Sequence, residues 1–144
     1  YEGGIRVPFI VNQPGMVPIQ TLDNLIYFPD MMPTLAALAK GTKHLPKQIN
    51  GINILPLFYG KQVDTDNRLL YWEFPGKQRA ARKGDWKCVT IHPNQPLELY
   101  NLKEDPEETN NLAQKYPRRV KEFDEEMQRM HIPTPNWPQP GEQF

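Results

Sequence analysis

The 144-residue chain carries 17 basic and 17 acidic residues, a balance that speaks against a general polyanion-binding surface. Hydrophobic residues make up 38% and charged residues 24%, so neither a disordered nor a membrane class fits, and no apolar run approaches the ~18 residues of a spanning helix. The chain contains no serine, which removes every serine-nucleophile mechanism, and its one cysteine, Cys88, excludes an internal disulfide, a CxxC pair and a multi-cysteine zinc site.

Ile5–Val11 is nearly continuous in apolar residues and ends in the turn signal Asn12-Gln13-Pro14-Gly15, the pattern of a strand buried on both faces. Phe28–Gly41 predicts a helix with proline in its first turn, Gly41 as its terminating glycine, and an apolar face of Met31, Leu35, Leu38 and Ala39. Ile52–Gly60 fits a short helix in which Ile54, Leu57 and Phe58 point inward. Beyond the polar stretch Val63–Asn67 lie four short strand candidates: Leu69–Phe74, Lys77–Arg82, Trp86–Ile91 and Leu97–Leu102. Their links, Pro75-Gly76, Lys83-Gly84-Asp85 and His92–Pro96, are turn chemistry, so an antiparallel sheet is expected, with Trp86 and Cys88 in its core. A turn or short helix at Thr109–Gln114 leads to a helix opening at Pro117, where Val120, Phe123, Met127 and Met130 form one face suited to covering that sheet. The tail from Pro133 to Phe144 holds four of the chain's 16 prolines and should run extended along the surface.

Most clusters of polar residues have an ordinary reading. His44, His92 and His131 show no metal-ligand spacing and are expected at the surface. Asp64-Thr65-Asp66-Asn67 resembles the start of a calcium loop but lacks the glycine and glutamate that complete one. Glu104–Glu108 suits the start of a helix, where carboxylates meet the positive end of the dipole. Lys77, Arg79, Arg82, Lys83 and Lys87 form a cationic cluster, split by strand alternation between two sheet faces. It is either a solvated sheet edge or a shallow anion site with Trp72 or Phe74 as an aromatic wall.

Five segments, in order, carry a family resemblance. YEGGIRVPFIV, FPDMMPTLAALAKG, NGINILPLFYGK, RAARKGDWKCV and LELYNLKEDPEETNNLA are each similar to a segment in the C-terminal third of the sulfatases, within the alkaline-phosphatase-like superfamily. Departures are Asn50 and Asn101 where the family has aspartate, Asn53 where it has serine, and Cys88 where it has leucine. The implied architecture is α/β: residues 1–60 as a strand-plus-helix piece of the large sulfatase domain, and residues 61–144 as a four-stranded antiparallel sheet packed against a C-terminal helix.

The resemblance implies a parent enzyme that hydrolyses aryl or carbohydrate sulfates with a formylglycine nucleophile and calcium. No catalytic residue and no metal ligand carries over to this chain, because Cys88-Val89-Thr90-Ile91-His92 lacks the formylglycine motif and the sulfate-contacting lysine precedes the Tyr-Glu-Gly-Gly segment. No cofactor is expected in the 144 residues, and the chain is expected to be inactive by itself. Glu2, Gly3, Gly4 and Arg6 are candidates for supporting the active-site loop, the glycines by allowing close backbone approach. Trp72, Glu73, Arg79 and Arg82 are candidates for contacting the leaving group or a neighbouring sugar. Expected partners are the remainder of a sulfatase chain and a sulfated glycan or aryl sulfate, with no nucleic acid and no membrane span. Ile5–Val11, deprived of neighbouring strands, is expected to drive self-association. The parent family is mostly secreted, periplasmic or lysosomal. Two other readings stand beside this one: an independent carbohydrate- or anion-binding module, and part of a phosphodiesterase or phosphonate hydrolase of the same superfamily.

Overall fold

A computed structural model describes residues 1–74, 76, 78–92, 94–139 and 141–143. The chain forms two compact units: Pro8–Asn67, and Tyr1–Val7 together with Arg68–Phe144. The first seven residues thus group with the sheet and not with the residues that follow them.

In the unit Pro8–Asn67, a 3-10 turn at Phe28–Asp30 runs into helix α1, Met31–Leu38, and a short helix α2 spans Leu55–Phe58. Its interior is partly polar. Asp30, fully buried, accepts the Tyr27 N–H at 3.0 Å and the Ile52 N–H at 2.9 Å. The Thr34 hydroxyl donates to the Asp30 carbonyl at 2.6 Å and accepts the Ile54 N–H at 3.0 Å, which brings Ile54 and Leu57 into the core. Buried donors and acceptors need such partners, so the Asp30 and Thr34 of FPDMMPT are explained by structure alone.

Three expectations fail here. Ile5–Val11, which straddles the division between the units, forms no strand: among the described residues it takes part in no strand pairing, Pro8 has no N–H to offer a ladder, and Val7 and Ile10 are exposed. The expected apolar face of α1 is not covered either, since Leu35 and Leu38 are exposed while Pro33 and Thr34 are the buried pair. The helix stop is displaced by one residue. Lys40, at φ +56, takes the left-handed position, and the bonds Lys40 N–H to Ala37 O and Gly41 N–H to Ala36 O complete a Schellman motif. The Asp64 carboxylate accepts the N–H groups of Asp66 and Asn67 and the Asn67 side-chain amide, and is thereby occupied by its own loop.

The sheet unit follows the expected topology. Strands β1 (Leu70–Phe74), β2 (Gln78–Lys83), β3 (Trp86–Thr90) and β4 (Glu98–Asn101) form an antiparallel meander in sequence order. Pro75, Lys77 and Pro93, which figure in the expected turns and cationic cluster, lie outside the described residues. Gly84, at φ +56, permits the two-residue link between Lys83 and its partner Trp86. Register assigns Leu70, Trp72, Arg82, Ala80, Lys87, Val89, Tyr100 and Glu98 to one face, and Tyr71, Glu73, Ala81, Arg79, Cys88 and Leu99 to the other. Helix α3, Pro117–Met130, covers the second face by packing Phe123 and Met127 on Ala81, Cys88 and Leu99. Burying two such side chains contributes about 2 kcal/mol each. Trp86 lies at the rim of this core, with the Arg119 guanidinium 4.3 Å above its ring and Tyr116 edge-on at 5.2 Å. In the tail, Trp137 meets Phe74 at 6.0 Å between ring centres.

Candidate functional site

The face of the sheet opposite α3 carries a buried group of charges. Lys87, at 1% exposure, stands on β3 beside Arg82 of β2, a register that brings two cations together on this face. Two carboxylates from distant parts of the chain meet them. Glu2, in the 3-10 turn Glu2–Gly4, places Oε1 2.5 Å from Arg82 and Oε2 3.2 Å from Lys87 Nζ. Glu108 reaches Lys87 Nζ with Oε1 at 2.9 Å, a contact that is ionic and not a directed hydrogen bond, while its Oε2 accepts the backbone N–H of Glu2. Arg82 Nε donates in addition to the Gly84 carbonyl at 3.1 Å. Tyr1 supplies a second tie to the same face: its hydroxyl donates to Glu98 at 2.7 Å and its ring stands edge-on to Tyr100 at 6.3 Å. The Glu98 carboxylate on that hydroxyl, together with burial, raises the Tyr1 pKa, so the tyrosine stays a donor at neutral pH.

The sequence reading of the charged residues needs two corrections, at Lys87 and at Glu104–Glu108. Lys87 is not part of a solvated edge but sits in the interior, where a lysine is found only when paired. No helix follows directly on Glu104–Glu108: Asp105 instead closes a local loop by accepting the N–H groups of Thr109 and Asn110, and Glu108 turns inward at φ +56. Gly3 and Gly4 are not required by close packing within this chain, because a Cβ at either would meet nothing within 4 Å. Trp72, Glu73, Arg79 and Arg82 divide between the two faces, as strand alternation implies for the two arginines. Trp72 and Arg82 share the face with Lys87, whereas Glu73 and Arg79 are directly opposed on the face of α3. Of the supporting residues expected near the N terminus, Glu2 is buried and Arg6 is exposed.

On the α3 face Arg79 pairs with Asp124 at 3.4 Å. Glu73 accepts the Tyr71 hydroxyl at 2.9 Å and lies 2.9 Å from Nδ1 of His131, just past the end of α3. Glu142 of the tail contacts Nε2 of the same ring. His131 is therefore not the free surface histidine the sequence suggested. The Glu73 carboxylate first, and Glu142 second, raise its pKa above the ordinary 6.5, the charged ring being favoured when both nitrogens face carboxylates. A raised folded-state value means that the imidazolium stabilises the fold fully below pH 6.5 and that the contribution is lost as pH rises through the folded value. Thermal unfolding from about pH 5 to about pH 8 should show this decline, and His131→Gln should flatten it. An identical pH slope in the variant would remove His131 from the account.

The residues present do not fit the groups that the family resemblance implies. Cys88 is fully buried in β3, and burial, before the Asp124 charge, pushes its thiol up to about 12. Among the described residues no three His, Cys, Asp or Glu side chains converge to hold a metal ion.

A meander sheet backed by one helix, with an N-terminal Tyr-Glu-Gly-Gly turn clamped to the face opposite that helix, defines a small α/β unit, and the family match to residues 1–132 makes it a sulfatase C-terminal domain. The chain belongs to the family described as N-sulphoglucosamine sulphohydrolase, C-terminal, which matches residues 1–132. Among curated relatives, a sulfatase of Formosa agariphila is 31% identical, the match taking 81% of this chain and 24% of that one. Arylsulfatase K of Gallus gallus is 30% identical over 86% of this chain and 25% of its own length. The solved structure of a 2-O GAG sulfatase superposes with a TM-score of 0.61 at 27% identity, over 76% of this chain and 27% of that one. The chain thus spans about a quarter of these relatives.

Proposed function

We propose that this chain is the C-terminal part of a sulfatase whose full-length form hydrolyses sulfate esters of carbohydrates or aryl alcohols. In this reading a formylglycine nucleophile and a calcium ion are supplied by the remainder of the enzyme, Cys88 standing outside any formylglycine motif. The observation that carries the reading is the docking of Tyr1–Gly4. The segment that resemblance places beside the sulfate site is held on the sheet by Arg82, Lys87 and Glu108. The role of the 144 residues is then to anchor a loop of the active site, with Trp72 near the same face as a candidate for contact with the sugar or aryl group.

The reading as an independent anion-binding module is weakened by the same geometry. Arg79 and Arg82, its expected ligands, pair with Asp124 and Glu2, and Lys87 is enclosed. Exposed Val7, Ile10, Phe28, Leu35 and Leu38 suit burial against the remainder of a sulfatase chain. In its absence they favour self-association, including through Ile5–Val11.

One experiment tests both statements. Alone, the 144-residue chain should show no turnover of p-nitrophenyl sulfate or a sulfated disaccharide and should sediment as a dimer or larger. The full-length enzyme should turn over at least one of the two and lose that activity to a chelator. Chelator-sensitive activity in the isolated chain would refute the reading.

A further inference from the structure

The four charges Glu2, Arg82, Lys87 and Glu108 come from separate parts of the chain and balance to zero. Burying them is costly, and a set of apolar side chains of the same volume would stabilise the sheet at least as well. Stability therefore does not explain their presence. What ion pairs add to an apolar patch is a restricted geometry: both Glu2 oxygens and Glu108 Oε2 accept from defined donors, and Glu108 Oε1 faces the Lys87 charge. Here the geometry extends to the main chain. Glu108 accepts the Glu2 N–H with one oxygen and faces Lys87 with the other, so the backbone at residue 2 is fixed along with its side chain. Glu108 itself sits at φ +56, a conformation that a non-glycine residue keeps only where its surroundings hold it.

We propose that Lys87 and Glu108 are positioning residues for sulfate-ester hydrolysis, setting the placement of Tyr1–Gly4 and hence of the catalytic groups adjoining that segment. Neither touches substrate; both act through Glu2. The inference rests on the sulfatase reading above and adds to it the residues that set the loop.

The test uses the full-length enzyme, with p-nitrophenyl sulfate as substrate and hydrogen exchange as a second readout. Lys87→Met should lower kcat on the order of 10–100-fold with KM little changed, as expected for a displaced reacting geometry. Exchange at the Glu2 amide should accelerate by a larger factor than at the Ala81 and Cys88 amides, which report opening of the whole sheet. Glu2→Gln, which leaves every strand residue in place, should shift both readouts the same way and decides the matter if Lys87→Met does not fold. Unchanged kcat in a variant whose Glu2 amide exchanges faster would overturn the positioning role. Unchanged exchange would overturn the clamp itself, and a raised KM at constant kcat would indicate substrate contact instead. If the wild-type enzyme lacks sulfatase activity, the sulfatase reading fails, and the exchange data still decide whether Lys87 holds the segment.

Discussion

Lys87→Met is expected to destabilise the sheet unit by about 3–5 kcal/mol, the usual cost of removing one partner from a buried ion pair. The loss should appear as a lower urea midpoint at unchanged slope. Its size follows from what remains. Glu108, whose side chain is 1% exposed, would keep only the Glu2 N–H, whereas Glu2 would keep Arg82. Arg82→Met should cost less, because Arg82 is 22% exposed and its removal leaves Glu2 paired with Lys87. The double variant Lys87→Met/Glu108→Gln should recover most of the loss. It removes one charge of each sign and leaves a neutral acceptor for the Glu2 N–H, so the two changes are strongly coupled. A loss below about 1 kcal/mol for Lys87→Met would mean that Glu108 finds another donor.

The second large effect is expected at Gly51, in the other unit. A Cβ there would stand 2.0 Å from the Pro29 carbonyl oxygen and 2.8 Å from the Asp30 nitrogen, both backbone atoms that no rotamer change can move. Gly51→Ala must separate the 50–54 segment from the start of α1. That motion breaks the Ile52 N–H bond to Asp30 and the Ile54 N–H bond to Thr34, costing the interior two buried hydrogen bonds. A loss of at least ~3 kcal/mol is expected, with soluble yield falling accordingly. Wild-type stability for the alanine variant, measured by urea unfolding, would show that the close approach relaxes freely.

The sheet was legible because its signals are local. Turn residues at Lys83-Gly84-Asp85 between two short strand candidates mark a hairpin without reference to the rest of the chain, and Val120, Phe123 and Met127 mark the covering face of α3. The split of Arg79 and Arg82 between two faces followed from period-two alternation in the same way. Ile5–Val11 was misread because apolar content reports a wish for burial, while a strand requires a neighbour to supply hydrogen bonds. The charged site was only partly legible. Glu2 drew attention through the Tyr-Glu-Gly-Gly resemblance, but Lys87 and Glu108 looked like ordinary surface residues, since their shared partner Glu2 lies 85 residues from Lys87 and 106 from Glu108. The one local hint was Lys87 itself, set between Trp86 and Cys88 in a strand that is otherwise apolar as far as Val89.

Cys88 gives this chain an internal reporter. The thiol lies at the centre of the meander, shielded on all sides and held in its protonated, unreactive form. An alkylating reagent can reach it only when β3 opens, so the rate of thiol labelling under native conditions counts those openings. With no other cysteine in the sequence, each modification event has a single origin. The same atom that is too enclosed to serve as a nucleophile precursor becomes a clock for the strand that carries Lys87.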